Sequence, residues 1–304
     1  MSGLLNKFVV GASVIVGMSA VVAPAQAGVM GMNGSDYATY THNSGNLWVG
    51  GEGAAINALT DGDMTTNVEL GYETENDNAI AGFTAVAGDY TVNVSSVTDA
   101  EFLTFQDQWV ADLLDAYAPL KAVWDNLAAP VQTVAKSVFT DVVGSGDVNV
   151  AEFSLDETGA VSMQTMGFFD LKPRVNMMIA EAKSQAIQKL AEDEFEFLPE
   201  STALEIASGI VNNQVNPFLG ALDQIDALQI SEMAKVTING QSEYVYSFNA
   251  TNSGFVAKDD GMSYSGVYAW NKAGETAAVP EPSTMLGLMA VGGLFAAAKR
   301  KKNA

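Results

Sequence analysis

The chain has 304 residues, no cysteine, a single histidine and a formal net charge of −22. Without thiols it cannot form disulfides, thiolate metal sites or cysteine nucleophiles. The acidic balance repels polyanions and excludes nucleic-acid binding, while 48% hydrophobic residues suffice for a packed core.

Met1 to Ala27 reads as a secretory signal peptide with a helical apolar centre. Lys7 supplies the positive start, and Phe8 to Val22 is uninterrupted by charge. Pro24 precedes Ala25-Gln26-Ala27, a small-x-small site that places signal peptidase cleavage between Ala27 and Gly28. The exported body is expected over 28–272. Five of the 14 cations, Lys7 and Lys299 to Lys302, lie outside Gly28 to Ala298, and all 36 acidic residues lie within it. That leaves nine cations against 36 carboxylates, a net −27.

From Gly28 to about Asn78 the chain is rich in Gly, Asn, Thr and Ser. Leu47-Trp48-Val49 and Asn67 to Tyr72 are strand-like, and Asp61-Gly62-Asp63 is a turn. Phe83 to Val86 and Tyr90 to Val94 predict a hairpin across Gly88-Asp89. At Thr98 the apolar period changes. Thr98 and Glu101 form a capping box, and Phe102, Phe105, Trp109, Leu113 and Tyr117 follow at helical spacing. Pro119 ends or restarts that helix, and a second stretch is predicted from Leu120 to Val143.

Strands return at Val148 to Phe153 and Val161 to Phe169, around an Asp156-Glu157-Thr158-Gly159 turn. Arg174 to Glu194 predicts an amphipathic helix with Val175, Met178, Ala182 and Leu190 on its apolar side. Thr202 to Asn212 and Pro217 to Leu228 read as two further helices, the first capped by Thr202 with Glu205 and the pair broken at Asn216-Pro217. Asn239-Gly240 between Lys235–Ile238 and Gln241–Phe248 is the strongest hairpin signal, because a type I′ turn needs positive φ at both central residues. Gly266 to Trp270 is the last strand. The fold class is α+β, with antiparallel hairpins flanking a helical middle.

Residues 273–278 form a linker, and 279–302 have three parts. Val279, Pro280, Glu281 and Pro282 come first. An apolar run follows, including Met285, Leu286, Leu288, Leu294 and Phe295. Lys299, Arg300, Lys301 and Lys302 close it. A bilayer core of about 30 Å takes roughly 20 apolar helical residues, so this shorter run is a marginal single membrane-anchor helix. The basic end stays cytoplasmic by the positive-inside bias.

This layout resembles the PEP-CTERM sorting signal of exported bacterial surface proteins. The resemblance implies processing near the Pro-Glu-Pro residues by a membrane-embedded exosortase. Pro280, Glu281 and Pro282 are then recognition residues of a substrate. It also implies a setting rich in exopolysaccharide, a further partner, and transient inner-membrane anchoring before release to the cell surface or medium. Ile230 to Val236, through the hairpin to Phe248–Gly254, is similar to the C-terminal block of uncharacterised PEP-CTERM proteins from cyanobacteria-like bacteria, a group that implies no activity.

Catalytic signals are sparse. His42 would have to serve any Ser-His-Asp triad, and no nucleophile-elbow motif accompanies it. No P-loop or dinucleotide fingerprint is present. The acidic residues always offer pairs, so a carboxylate-dependent glycoside hydrolase is one alternative. A calcium-dependent adhesin is another, since Asp61, Asp63, Asp147, Asp259 and Asp260 lie in oxygen-rich turns. None of these turns has EF-hand spacing, and Asp and Asn favour turns for conformational reasons as well. Calcium is the single cofactor candidate. Trp48, Trp109, Trp124 and Trp270 offer sugar-stacking faces, although helical spacing places Trp109 and Trp124 in a core. The expectation is a non-enzymatic surface or extracellular-matrix protein.

Overall fold

Period-two burial builds two antiparallel sheets, seen in a computed structural model that describes residues 29–41, 46–48, 51–71, 81–127, 132, 136, 147–257 and 261–274. The first strands are β1 (Val29–Asn33), β2 (Tyr37–Thr41), β3 (Asn46–Trp48), β4 (Asn67–Leu70), β5 (Gly82–Ala87) and β6 (Tyr90–Ser95). The later ones are β7 (Asn149–Leu155), β8 (Val161–Gly167), β9 (Ala234–Ile238), β10 (Gln241–Val245), β11 (Thr251–Asn252) and β12 (Gly266–Lys272). A five-stranded sheet runs β1-β5-β6-β9-β10, and a seven-stranded sheet runs β11-β12-β8-β7-β4-β2-β3.

The sheets share one core. Phe83, Ala85, Val92, Val94 and Val236 come from the five-stranded sheet, and Val68, Leu70, Val150, Phe153 and Leu155 from the other. Phe83 and Phe153 meet edge to face across the gap at 4.9 Å, a geometry that adds to their area burial. A short helix, α1 (Glu52–Ala58), adds Ala55 and Ala58 to the same core.

Two turns are chemically exacting. Asn239 and Gly240 have φ of 48° and 84°, the signature expected of a type I′ turn. Gly159 has φ 80°, and a Cβ there would stand 2.4 Å from the Tyr90 ring. The β7–β8 turn therefore packs on the β5–β6 hairpin only with glycine at that position.

The helices form a second body. α2 (Asp99–Ala116) and α3 (Ala118–Trp124) follow β6; α4 (Lys172–Glu194) and α5 (Glu200–Leu222) lie between β8 and β9. The capping box is present: Glu101 N–H donates to Thr98 Oγ1 at 3.2 Å, and Thr98 N–H donates to Glu101 Oε2 at 3.2 Å. Phe102, Phe105, Trp109 and Leu113 are buried along the face their spacing predicted.

This face packs against the side of β10 that the sandwich core does not use. Val245 is buried in the core, whereas Tyr244 stacks on Phe105 at 4.2 Å. Lys235 Nζ meets Glu101 Oε1 at 2.7 Å. Leu171, Val175, Ala221, Leu222, Ile225 and Leu228 join the helical core, which sets the base of the α4–α5 hairpin. Farther along, among the described residues, α4 and α5 pack on each other through Ala191, Ala203 and Ala207.

Four expectations need correction. The chain from Glu200 to Leu222 is one continuous helix through Pro217, not two. Proline removes one internal hydrogen bond there, but Phe218, Ala221 and Leu222 are gripped by the helical core, and packing overrides the break. Helix α5 starts after Pro199 with no side-chain cap, so Thr202 and Glu205 form no capping box. Ala182 is exposed rather than on the packed side of α4. The helices do not sit as one central block either, because the β7–β8 hairpin lies between α3 and α4. The stretch expected to be helical from 128 to 143 lies outside the described residues apart from 132 and 136, as do the signal helix and the anchor helix. Among the described residues no helix is long and apolar enough to cross a membrane.

Candidate functional site

Strand alternation sends Val68 and Leu70 into the core, so Asn67 and Glu69 face the other side of β4. That side is also covered: Asn67 is 1% exposed. Tyr40 lies opposite Asn67 in the β2–β4 register, and its hydroxyl donates to Glu69 Oε2. The Tyr264 ring meets Tyr40 edge to face at 5.7 Å. Tyr264 has φ 59°, a left-handed conformation uncommon for an aromatic residue. Its hydroxyl donates to Asn149 Oδ1 at 3.4 Å. Asn149 sits opposite Glu69 in the β4–β7 register, and its backbone N–H donates to Glu232 Oε2 at 3.1 Å. Glu232 lies in the segment leading from the helical body into β9.

Two carboxyls are thus desolvated near each other and near Asp147. Burial, above all, pushes Glu69 up to about 7; Asp147 and Asp36 add to the rise, and the Tyr40 hydrogen bond opposes it. Burial likewise drives Glu232 well above the usual carboxylate range, helped by Asp147 and Glu69 and opposed by the Asn149 bonds. Burial also raises the Tyr264 hydroxyl. Among the described residues neither Glu69 nor Glu232 has a cationic partner. The carboxyls therefore tend to hold protons near neutral pH. Asn67 Oδ1, buried on the same face, accepts no hydrogen bond among the described residues.

Glu232 also lines a small open-sided cleft, with Ser231, Thr165, Tyr246, Tyr268 and Trp270 around it. The floor of this cleft admits little more than one water. Among the described residues Glu232 is the one carboxyl in its lining. Trp109 and Trp124 are buried in the helical core, so they offer no sugar-stacking face. The Trp48 side chain and His42 lie outside the described residues.

The calcium candidates Asp61 and Asp63 are engaged in their own turn. Asp61 Oδ1 accepts from Asp63 N–H at 2.8 Å, and Asp61 Oδ2 accepts from the Thr66 hydroxyl at 2.8 Å. Asp63 Oδ1 accepts from Thr65 N–H at 3.0 Å and from its hydroxyl at 2.6 Å. These bonds are the local turn geometry that Asp favours. Asp259 and Asp260 lie outside the described residues. Among the described residues no three His, Asp or Glu side chains stand together in a way that could hold a metal ion.

The buried carboxyl cluster had no signal in the sequence. Glu69, Asn149, Glu232 and Tyr264 are far apart in the chain; sheet register pairs Glu69 with Asn149, and the segments before β9 and β12 bring Glu232 and Tyr264 to Asn149. The sorting residues Val279 to Pro282, the cleavage residues Ala25, Ala27 and Gly28, the anchor residues Met285 to Phe295 and the basic residues Lys299 to Lys302 all lie outside the described residues.

By its described part, then, the molecule is an α+β protein: two facing antiparallel sheets with a helical body at one end. A family model for the PEP-CTERM protein-sorting motif matches residues 278–302, the segment with the Pro-Glu-Pro residues, the apolar run and the basic end. The motif marks an exported protein sorted to the cell surface by an exosortase, its processing partner. No curated protein and no solved structure matches the chain.

Proposed function

We propose that the protein is a non-enzymatic component of the cell surface or extracellular matrix. It is exported with a cleaved signal peptide, anchored transiently in the inner membrane, and cut by exosortase near Pro282. The PEP-CTERM match at 278–302 carries this reading. Two features of the body support a binding or structural role. The body holds its acidic charge on a scaffold whose cleft contains one carboxyl, and its α4–α5 hairpin extends beyond the sandwich core.

The test is the intact mass of the protein recovered from its native cell surface or medium. The expected mass lacks Met1 to Ala27 and the segment after Pro282. A mass that retains Met285 to Ala304 overturns exosortase processing. Turnover of a polysaccharide panel by the purified protein, lost on a single carboxylate substitution, overturns the non-enzymatic assignment.

A further inference from the structure

Both terminal segments join the body at the same end of the sandwich. β1 begins at Val29, one residue beyond Gly28, and Val29 lies opposite Val86, next to the β5–β6 turn. At the other terminus β12 finishes at Lys272, opposite Val161, next to the β7–β8 turn. These turns touch: a Cβ at Gly88 would stand 3.5 Å from the Glu157 carbonyl oxygen. Gly274 lies against Thr158 so closely that a Cβ there would collide with it. The β9–β10 turn belongs to the same end, since Asn239 N–H donates to the Thr91 carbonyl at 2.9 Å.

Among the described residues the connections to α2 and α4 and from α5 lie at the opposite end. Ser95 leads to α2 and Gly167 to α4, while Ala234 receives the chain from α5. Ser95 lies beside Lys235 in register, and Gly167 lies opposite Gly266. The helical body is thus one strand length, about 20 Å, from the turn end. The α4–α5 hairpin adds helices of 23 residues, each about 35 Å long.

We infer that the turn end of the sandwich is the surface the precursor holds toward the membrane, with the helical body carried on the side away from it. This rests on the proposed anchoring by the tail. From Gly274 to Met285, where the apolar run begins, the chain has eleven steps, a leash of at most about 40 Å. On the other side only Gly28 separates the cleavage site from β1. Both tethers therefore reach one bilayer without crossing the body, and the body can fold before either is cut. Asp89 and Glu157 are exposed at this end. Their charge opposes close contact with anionic lipid, so the body stands off within the leash and leaves the Pro-Glu-Pro segment open to its enzyme.

The chain contains no cysteine, so one introduced thiol is a unique label site. Full-length precursors carrying Asp89→Cys, Glu157→Cys, Ser184→Cys or Glu192→Cys, all at exposed positions, would be labelled with a donor dye. They would then be reconstituted into phosphatidylcholine vesicles that contain a headgroup acceptor dye and no exosortase. Energy transfer from Asp89→Cys and Glu157→Cys is expected to exceed that from Ser184→Cys and Glu192→Cys severalfold. Equal or reversed transfer in vesicle-bound precursor overturns the orientation alone. Precursor that fails to sediment with the vesicles refutes anchoring by the tail, and the orientation with it.

Discussion

Replacing Glu69 with glutamine should make the protein more stable above neutral pH and leave it nearly unchanged in acid. In the folded chain Glu69 is raised from 4.5 to about 7, mainly by burial. The unfolded chain releases that proton near the lower value. Between the two values the folded state holds more protons than the unfolded state, so stability falls as pH rises. The contribution of protonated Glu69 is complete below about pH 4.5 and is lost through pH 7. A displacement of this size corresponds to about 3 kcal/mol at ~1.4 kcal/mol per pH unit.

Glutamine keeps the shape of the protonated acid and an oxygen to accept from Tyr40, but cannot ionise. At pH 8 the Glu69→Gln protein should therefore exceed the parent by about 3 kcal/mol. For a body of this size that is a rise of roughly 6–12 °C in Tm. The assay is thermal unfolding of both proteins from pH 4 to pH 9, read as their difference so that general repulsion among carboxylates cancels. A parent-minus-variant difference that stays flat with pH, or favours the parent at pH 8, refutes the assignment of Glu69 as a buried, proton-holding group.

Other substitutions probe the scaffold. Thr98→Ala removes the capping hydroxyl of α2 and should cost about 1 kcal/mol in urea unfolding; no loss would mean that the box contributes nothing in context. Trp109→Ala empties a fully buried site in the helical core and should cost about 3–5 kcal/mol, a size that a half-exposed tryptophan would not show. Gly240→Ala places a side chain at φ 84° and should destabilise by about 1 kcal/mol or more, whereas a neutral result would contradict the type I′ turn. Millimolar calcium followed by chelator should leave Tm unchanged, because Asp61 and Asp63 already accept turn hydrogen bonds; a reversible upward shift would support the calcium-adhesin reading instead.

Local chemistry was legible wherever a few neighbouring residues decide the outcome. Asn239-Gly240 and Gly88-Asp89 specify hairpins through backbone conformation. Thr98 and Glu101 start α2 by hydrogen bonds three residues apart, and Phe102, Phe105 and Trp109 share a face through the helical repeat alone. The Gly- and Asn-rich front was harder to read. β1, β2 and α1 are short, and their partners β5 and β4 come later in the chain. Pro217 shows the reverse case, a strong local break overruled by burial of Phe218, Ala221 and Leu222.

The sequence by itself determined the address of this protein. The Pro-Glu-Pro residues, the apolar run and Lys299 to Lys302 act as a contiguous signal, read by hydrophobicity and charge without any fold. It also determined most hairpins and helix starts, which depend on interactions within a few residues. Only the tertiary structure decided that Glu69 and Glu232 are both desolvated and electrostatically coupled, because burial and charge coupling depend on separation in space. Only strand register decided that β1 begins and β12 finishes at one end while the chain passes to α2 and α4 and returns from α5 at the other, since each antiparallel pairing sets the direction of its neighbour across segments far apart in the chain.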